Sequence, residues 1–486
     1  MPDWGWIVIV IYGLGMFFIF SYSLVQLSLL LHYRKKSKKE VAKEWEWDWP
    51  TVLIQLPVFN ERYVVERLID ATCQLDYPKD KLSIQLLDDS TDESFEIASA
   101  VVSARKGEGI NIEQVKRPVR KGFKAGALQY GLDLTEAEFV AIFDADFVPD
   151  KDFLKEAIPQ FIDEGIGMVQ SRWGHLNRDY SLLTRVQAFA LDAHFTVEQS
   201  GRNIGNHFIN FNGTAGVWRR KCILDAGGWS ADTLTEDLDL SYRAQLKGWK
   251  FKFIENVVSP AELPAEMNAL KNQQYRWNKG AAECAKKHVG NIFRSKSLST
   301  TTKIHAFFHL LNSSIFIWIV ICAVASLPLI LLKNEVVGYE LLFASGGVLL
   351  FSFFVLAFFY YTSFVKLKTA PKRTFLWLYP AFLSLSMGMS LHNARAVILG
   401  YVGKKTPFIR TPKWNLVGQS GSFKQKKYID RKIPLMSWVE GLLGIYFLLA
   451  LAIGIKLGEW GFIPLHIMLV FGFFAVFHYS IKHARQ

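Results

Sequence analysis

Residues 139–146 read Phe139-Val140-Ala141-Ile142-Phe143-Asp144-Ala145-Asp146. An unbroken apolar run, rich in β-branched and aromatic side chains, ends in two carboxylates set two positions apart. Such a run suits a strand buried on both faces of a parallel sheet. Two other stretches have the same form. Thr51–Val58 leads into Phe59-Asn60-Glu61, and Leu82–Leu87 leads into Asp88-Asp89-Ser90-Thr91-Asp92. Between them Glu61–Leu75, Ser94–Arg105 and Gly122–Leu132 carry helical spacing. Alternating strands and helices over 45–300 predict an α/β, doubly wound sheet, and such sheets bind ligands beyond the carboxyl ends of their strands.

The acids collect at that edge. One acid at one strand end is commonly a turn former or a helix cap. Acids at three successive strand ends are poorly explained by turns. Carboxylates two apart reach one hard cation from the same side, as Mg²⁺ or Mn²⁺ requires, and leave positions for phosphate oxygens and water. An EF-hand is excluded, because Asp144–Asp150 lacks the loop glycine. The body carries no G-x-x-x-x-G-K-[ST], no G-x-G-x-x-G after a strand, no H-E-x-x-H and no G-x-S-x-G. Further on, Thr235-Glu236-Asp237 precedes an expected helix, Leu238–Lys247, where a threonine cap with first-turn acids also fits. Gln273-Gln274-Tyr275-Arg276-Trp277 lies in a basic amphipathic stretch, 266–288, of the kind that rests on a membrane surface.

Half of the 486 residues are hydrophobic while 21% are charged, which fits a folded body joined to membrane spans and excludes a disordered chain. From Gly5 to Leu31, 27 residues pass without a charged side chain, more than the roughly 20 that cross a bilayer. Arg34, Lys35, Lys36, Lys38 and Lys39 follow, so the positive-inside rule sets the body on the cytoplasmic side. The 56 Lys and Arg against 44 Asp and Glu are thereby read as a membrane anchor, and no nucleic acid is expected. Spans are predicted at 306–332, 338–365, 436–455 and 461–480. The apolar segment 375–399 has basic flanks on both sides and is expected to be re-entrant or interfacial. Four cysteines (Cys73, Cys222, Cys284, Cys322) without zinc or redox spacing exclude a disulfide framework.

Taken in order, Asp88-Asp89, Lys124-Ala125-Gly126-Ala127-Leu128, Asp144-Ala145-Asp146, Phe211-Asn212-Gly213-Thr214, Thr235-Glu236-Asp237 and Gln273-x-x-Arg276-Trp277 resemble the membrane-embedded family 2 glycosyltransferases, the group of cellulose, mannan and hyaluronan synthases. The chain is most similar to the cellulose-synthase-like (gluco)mannan synthases. The resemblance covers about 50–415 and implies a cytoplasmic GT-A, nucleotide-sugar-binding domain inserted between transmembrane helices. The expected divisions are a transmembrane helix at 1–33, the GT-A domain with interfacial helices at 34–300, and a membrane region at 301–486 with a gating-like loop at 400–434. It further implies that Pro57, Asn60, Glu61, Asp88, Asp89, Lys124 and Asp144 bind the nucleotide. Asp144 and Asp146 would hold Mg²⁺ or Mn²⁺, and Asp237, beside Glu236, would be the general base. Gln273, Arg276, Trp277, Phe211, Gly213 and Thr214 would face the acceptor and diphosphate. Phe408, Thr411 and Lys413 match the gating loop F-x-V-T-x-K, although Arg410 replaces its valine. The family's F-F-C-G-T is F-N-G-T here, which favours the mannan-like branch.

The chemistry has its own logic. A sugar nucleotide reacts when the charge of its leaving diphosphate is offset and an acceptor hydroxyl loses a proton to a carboxylate. One base and no enzyme nucleophile suit inversion, so an α-linked donor gives a β-glycoside. The expected activity is processive polymerisation of GDP-mannose or UDP-glucose into a β-linked, β-1,4 polysaccharide on a growing acceptor, translocated across the bilayer. The membrane would be the plasma (inner) membrane, or the Golgi in a eukaryote. Single transfer to a lipid acceptor is the alternative, and a transporter leaves Asp237 and the Gln-Arg-Trp set without purpose.

Overall fold

The computed structural model describes residues 3–35, 48–335, 351–424 and 426–485. Its centre is a seven-stranded sheet of β1 (Val52–Val58), β2 (Leu82–Asp88), β3 (Ile112–Val115), β4 (Phe139–Ile142), β5 (Ile166–His175), β6 (Gly216–Arg219) and β7 (Lys250–Ala261). Their order is β3-β2-β1-β4-β6-β5-β7. The three apolar runs lie together as parallel neighbours, β2-β1-β4, with Val52 opposite both Leu82 and Phe139. The sheet is mixed, because β6 runs antiparallel to β4 and to β5. Only Val217 and Trp218 are apolar between Gly216 and Arg219, so β6 forms no apolar run that stands out in the sequence.

Alternate residues of each strand enter opposite layers. Ile54, Leu56, Phe139 and Phe143 pack on one side. Val140, Ile142, Leu128 and Trp218 pack on the other. Helices α2 (Val65–Cys73), α3 (Ser94–Gly107) and α4 (Phe123–Asp133) connect the first four strands. After β5 comes α5 (Leu182–Ala193), then α6 (Glu236–Leu246) between β6 and β7, and α7 (Met267–Arg294) after β7.

Apolar helices flank this body: α1 (Asp3–Arg34), and after α8 (Thr300–Leu310) the series α9 (Ile315–Glu335), α10 (Phe351–Leu367), α11 (Phe375–Gly388), α12 (Ser390–Val402), α13 (Leu435–Lys456) and α14 (Ile463–Ala484). Among the described residues four segments, Trp4–Arg34, Asn312–Lys333, Leu435–Lys456 and Trp460–Ala484, are long and apolar enough to cross a membrane. The expected span 306–332 begins later, since α8 ends at Leu310 and a short 3₁₀ turn, Asn312–Ser314, precedes α9. The first part of the expected span 338–365, and Lys36, Lys38 and Lys39, lie outside the described residues.

Segment 375–399 is two helices, α11 and α12, bent by 49°. Each half has its own partner. A Cβ on Gly388 would lie 2.2 Å from the Gly472 carbonyl oxygen, and one on Gly472 would lie 1.9 Å from that of Ser384. Glycine at the crossing thus lets the backbones of α11 and α14 touch. The other half, α12, lies along α7 of the body, where His392 Nε2 is 2.9 Å from the Lys271 carbonyl. With basic flanks on both sides, cysteines introduced at Thr369 and Gly403 are expected to label from the same face of the membrane. Labelling from opposite faces would make the pair one full span.

Candidate active site

The carboxyl ends of β1, β2 and β4 open into one cavity, as the topology of a doubly wound sheet dictates. Pro57, Glu61, Asp89, Lys124, Asp144 and Asp146 line its sheet side. Glu236, Asp237, Gln273, Arg276 and Trp277 line the rest of its wall, together with Phe408, Thr411 and Lys413 from the segment after α12. Gly213 joins the wall beside Asp237.

Of the two aspartates ending β2, Asp89 faces the cavity and Asp88 does not. Asp88 is turned inward, accepting from Ser90 N and Gln114 Nε2, each at 2.8 Å. Asp89 is gripped by Arg117, whose Nε lies at 3.0 Å, with Arg120 at 3.6 Å. Asn60 is outside the lining. It takes a left-handed φ of 57° and ties the ends of β1 and β2, its N–H donating to Ser90 Oγ at 2.9 Å and its Oδ1 accepting from Thr91 N at 2.8 Å. Phe211 and Thr214 stand behind the wall. Phe211 packs on Trp218 and Trp229, and Thr214 Oγ1 accepts from Asp144 N at 2.8 Å.

Asp144 and Asp146 each hold a lysine. Lys124 Nζ donates to Asp144 and to the Gly213 carbonyl (2.8 Å), and stands 4.0 Å from Glu236. Lys413 Nζ donates to Asp146 and to the Glu262 carbonyl. Glu236 and Asp237 form the first turn of α6, but Thr235 makes no side-chain cap there. Asp237 Oδ1 instead accepts from Leu238 N at 2.8 Å. Gly213 has φ +81°, and a Cβ on it would sit 3.1 Å from Asp237 Oδ2. Burial, then the charge of Glu236, pushes the Asp237 carboxyl up to about 7 against the pull of Lys124. Burial likewise raises Glu236, with Lys124 opposing. A carboxylate with such a pKa is a competent base near neutral pH.

Helix α7 starts at Glu266, whose carboxylate accepts from Asn268 N and Ala269 N, each at 2.7 Å. Gln273, Arg276 and Trp277, at i, i+3 and i+4, then share one face. The Arg276 guanidinium donates to Thr411 Oγ1 at 3.1 Å and lies 4.7 Å over the Phe408 ring. Phe408 in turn stacks on Phe123, with centroids 5.4 Å apart. Arg410, where the resemblance leads one to expect valine, pairs with Glu61 at 3.2 Å and covers Tyr428 at 4.2 Å. Burial raises Glu61 to about 8 even so.

Sequence reasoning missed Arg117, Arg120 and Glu262. Glu262 takes Trp414 N at 2.8 Å and Leu416 N at 3.1 Å on its two oxygens, which fastens the loop to the body. It too is an acid at a strand end. The signal was hidden because β7 alternates buried and more open positions instead of forming one apolar run.

Residues 50–280 match the family described as "Glycosyltransferase like family 2". Glucomannan 4-beta-mannosyltransferase 1 of Oryza sativa subsp. japonica is 45% identical over 265 residues, 54% of this chain and 51% of that protein. Glucomannan 4-beta-mannosyltransferase 9 of Arabidopsis thaliana is 36% identical over 397 residues, 79% of this chain and 71% of that protein. The chain spans about half the length of the first relatives it matches. In fold it is similar to the Pyrobaculum calidifontis mannosyltransferase PcManGT, solved with GDP-Man and Mn²⁺, at TM-score 0.57 and 19% identity, covering 82% of this chain and 100% of that one. The mixed sheet is a GT-A-like core, and with a relative of 36% identity matched along most of both chains, this protein belongs to the family 2 glycosyltransferases, in the cellulose synthase-like group.

Proposed function

We propose that this protein is an inverting transferase that moves mannose from GDP-mannose onto a growing β-1,4-linked glycan, with its sheet domain in the cytoplasm and its apolar helices in the membrane. The observation that carries the reading is one cavity in which Asp237, with its raised pKa, stands with Asp144, Asp146 and Trp277 among the lining residues. The names of the relatives support mannosyl transfer, and the nucleotide in the PcManGT complex supports GDP-mannose.

The residues fit a divalent metal. Asp144 and Asp146 are hard oxygen donors, and each already seats an ammonium group. Among the described residues no three His, Cys, Asp or Glu side chains are grouped to hold an ion alone. Asp144 and Asp146 would be the residues that hold such an ion, with positions left for phosphate oxygens and water. They would hold Mg²⁺ or Mn²⁺, which when bound would supply positive charge against the departing diphosphate. Arg276 adds a fixed cation on the same wall. Trp277 offers an apolar face to the C–H side of the acceptor sugar. Asp237 takes the proton from the acceptor hydroxyl as that oxygen attacks the sugar carbon, and the configuration inverts. Phe408, Thr411 and Lys413 close the cavity and exclude water, which favours transfer over hydrolysis.

The direct test incubates purified protein with radiolabelled GDP-mannose, UDP-glucose and other nucleotide sugars in Mg²⁺ or Mn²⁺, followed by sizing of the product. A polymer made from GDP-mannose is the expected result, and a single sugar on lipid would replace the processive reading. Excess EDTA is expected to abolish turnover, and undiminished turnover would remove Asp144 and Asp146 from a metal role. Asp237→Asn keeps the shape but accepts no proton, so transfer should fall by about 10²–10⁴-fold while donor binding holds. Because a base works deprotonated and Asp237 titrates near 7, kcat/KM should decline as pH falls below about 7. An acid limb that persists unchanged in Asp237→Asn would assign that limb to another group.

A further inference from the structure

The cavity lining also takes in the last residues of β5, where two side chains have no part in the chemistry above. Trp173 and His175 stand two residues apart on one strand, so they share a face, and both line the cavity. The Trp173 indole is fixed by Phe195 (centroids 4.7 Å apart, 26°) and Phe147 (5.1 Å, 70°). Among the described residues its buried Nε1 has no hydrogen-bond partner. Leaving such a group unsatisfied costs about 1–3 kcal/mol, which a ligand oxygen would recover.

His175 is also set for a ligand. Its side chain is 1% exposed, and its Nε2 lies 3.2 Å from Asp192 Oδ1. Arg178 grips both oxygens of Asp192, at 2.6 and 2.9 Å. Burial would raise the Asp192 carboxyl, but His175 and Arg178 hold it down to about 2, so it is an anion. Burial keeps the His175 imidazole below its ordinary value against the pull of Asp192. Facing an anion, Nε2 is the nitrogen that donates to Asp192, and burial favours leaving Nδ1 as an acceptor. Among the described residues the Asp192 contact is the ring's one hydrogen bond. Trp173 and His175 thus bring a donor and an acceptor to the same strand end. Leu191, Leu263 and Pro264 add apolar surface to the cavity lining. An uncharged ring with apolar C–H faces and hydroxyls at its rim fits that chemistry.

We infer that Trp173 and His175 form a subsite for one hexose of the acceptor glycan, the indole N–H and the imidazole Nδ1 each taking one hydroxyl. The subsite rests on the transferase reading for its role, and binding can be measured apart from transfer. The test titrates β-1,4-mannohexaose into the full chain by calorimetry and, separately, measures KM for the same oligosaccharide and for GDP-mannose. His175→Gln keeps a donor towards Asp192 and loses the Nδ1 position. His175→Asn keeps a polar atom at Nδ1 and loses the Asp192 contact. The subsite predicts about tenfold weaker mannohexaose binding in His175→Gln and in Trp173→Phe, near-normal binding in His175→Asn, and unchanged KM for GDP-mannose. A merely structural His175–Asp192 contact predicts the reverse order of the two histidine variants, and that order, or no change in any variant, overturns the subsite. Mannohexaose bound in the expected order by a protein that transfers no sugar would keep the subsite and overturn the transferase reading instead.

Discussion

Carboxylates crowded at the edge of a sheet repel one another, and each must find a cation before the chain can close around it. Here the cations come from distant segments. Lys124 of α4 serves Asp144, Arg117 and Arg120 serve Asp89, and Lys413 and Arg410 arrive from beyond α12 to serve Asp146 and Glu61. A buried ion pair adds little net stability, but stripping one partner leaves a charge that costs about 3–5 kcal/mol. The cavity is therefore assembled as a unit. Its acids pull the loop at 404–430 down as much as the loop covers them.

That dependence explains what could be read in the sequence. The strands β1, β2 and β4 were legible because parallel strands covered on both faces are continuously apolar, and their acids were legible because those runs stop abruptly. Which of Asp88 and Asp89 faces the cavity was not legible. Adjacent residues on a strand point to opposite sides, and only the packing of Asp88 against Gln114 and Ser90 decides it. Phe211 and Thr214 carry a motif yet sit one layer back. One supports the wall through Trp218, and the other orients Asp144 through its backbone. Arg410 looked like a departure from pattern, but its value is visible only once Glu61 is seen buried beside it.

Helix α7 links the two halves of the molecule. One face carries Gln273, Arg276 and Trp277 to the cavity, and near its start Lys271 forms a buried pair with Glu440 of α13 at 2.6 Å. Lys271 Nζ also donates to Ser437 Oγ at 3.1 Å, while His392 of α12 meets its carbonyl. Ionic groups among apolar helices are costly unless paired, so this contact fixes how far along its axis α7 can sit. The part of the cavity wall that carries Gln273, Arg276 and Trp277 is thereby referenced to the apolar helices and not to the sheet alone.

Glu262 holds Trp414 and Leu416 through their main-chain N–H groups, and this has a consequence for how the loop can vary. Every amino acid except proline offers the same N–H, so the fastening tolerates exchange of either side chain as far as the neighbouring packing allows. Mutational drift can reshape the loop's outer surface while its anchor stays in place, and the burden of keeping the anchor falls on one carboxylate in the body. A loop built this way is free to acquire new contacts with whatever lies above it without first losing its seat.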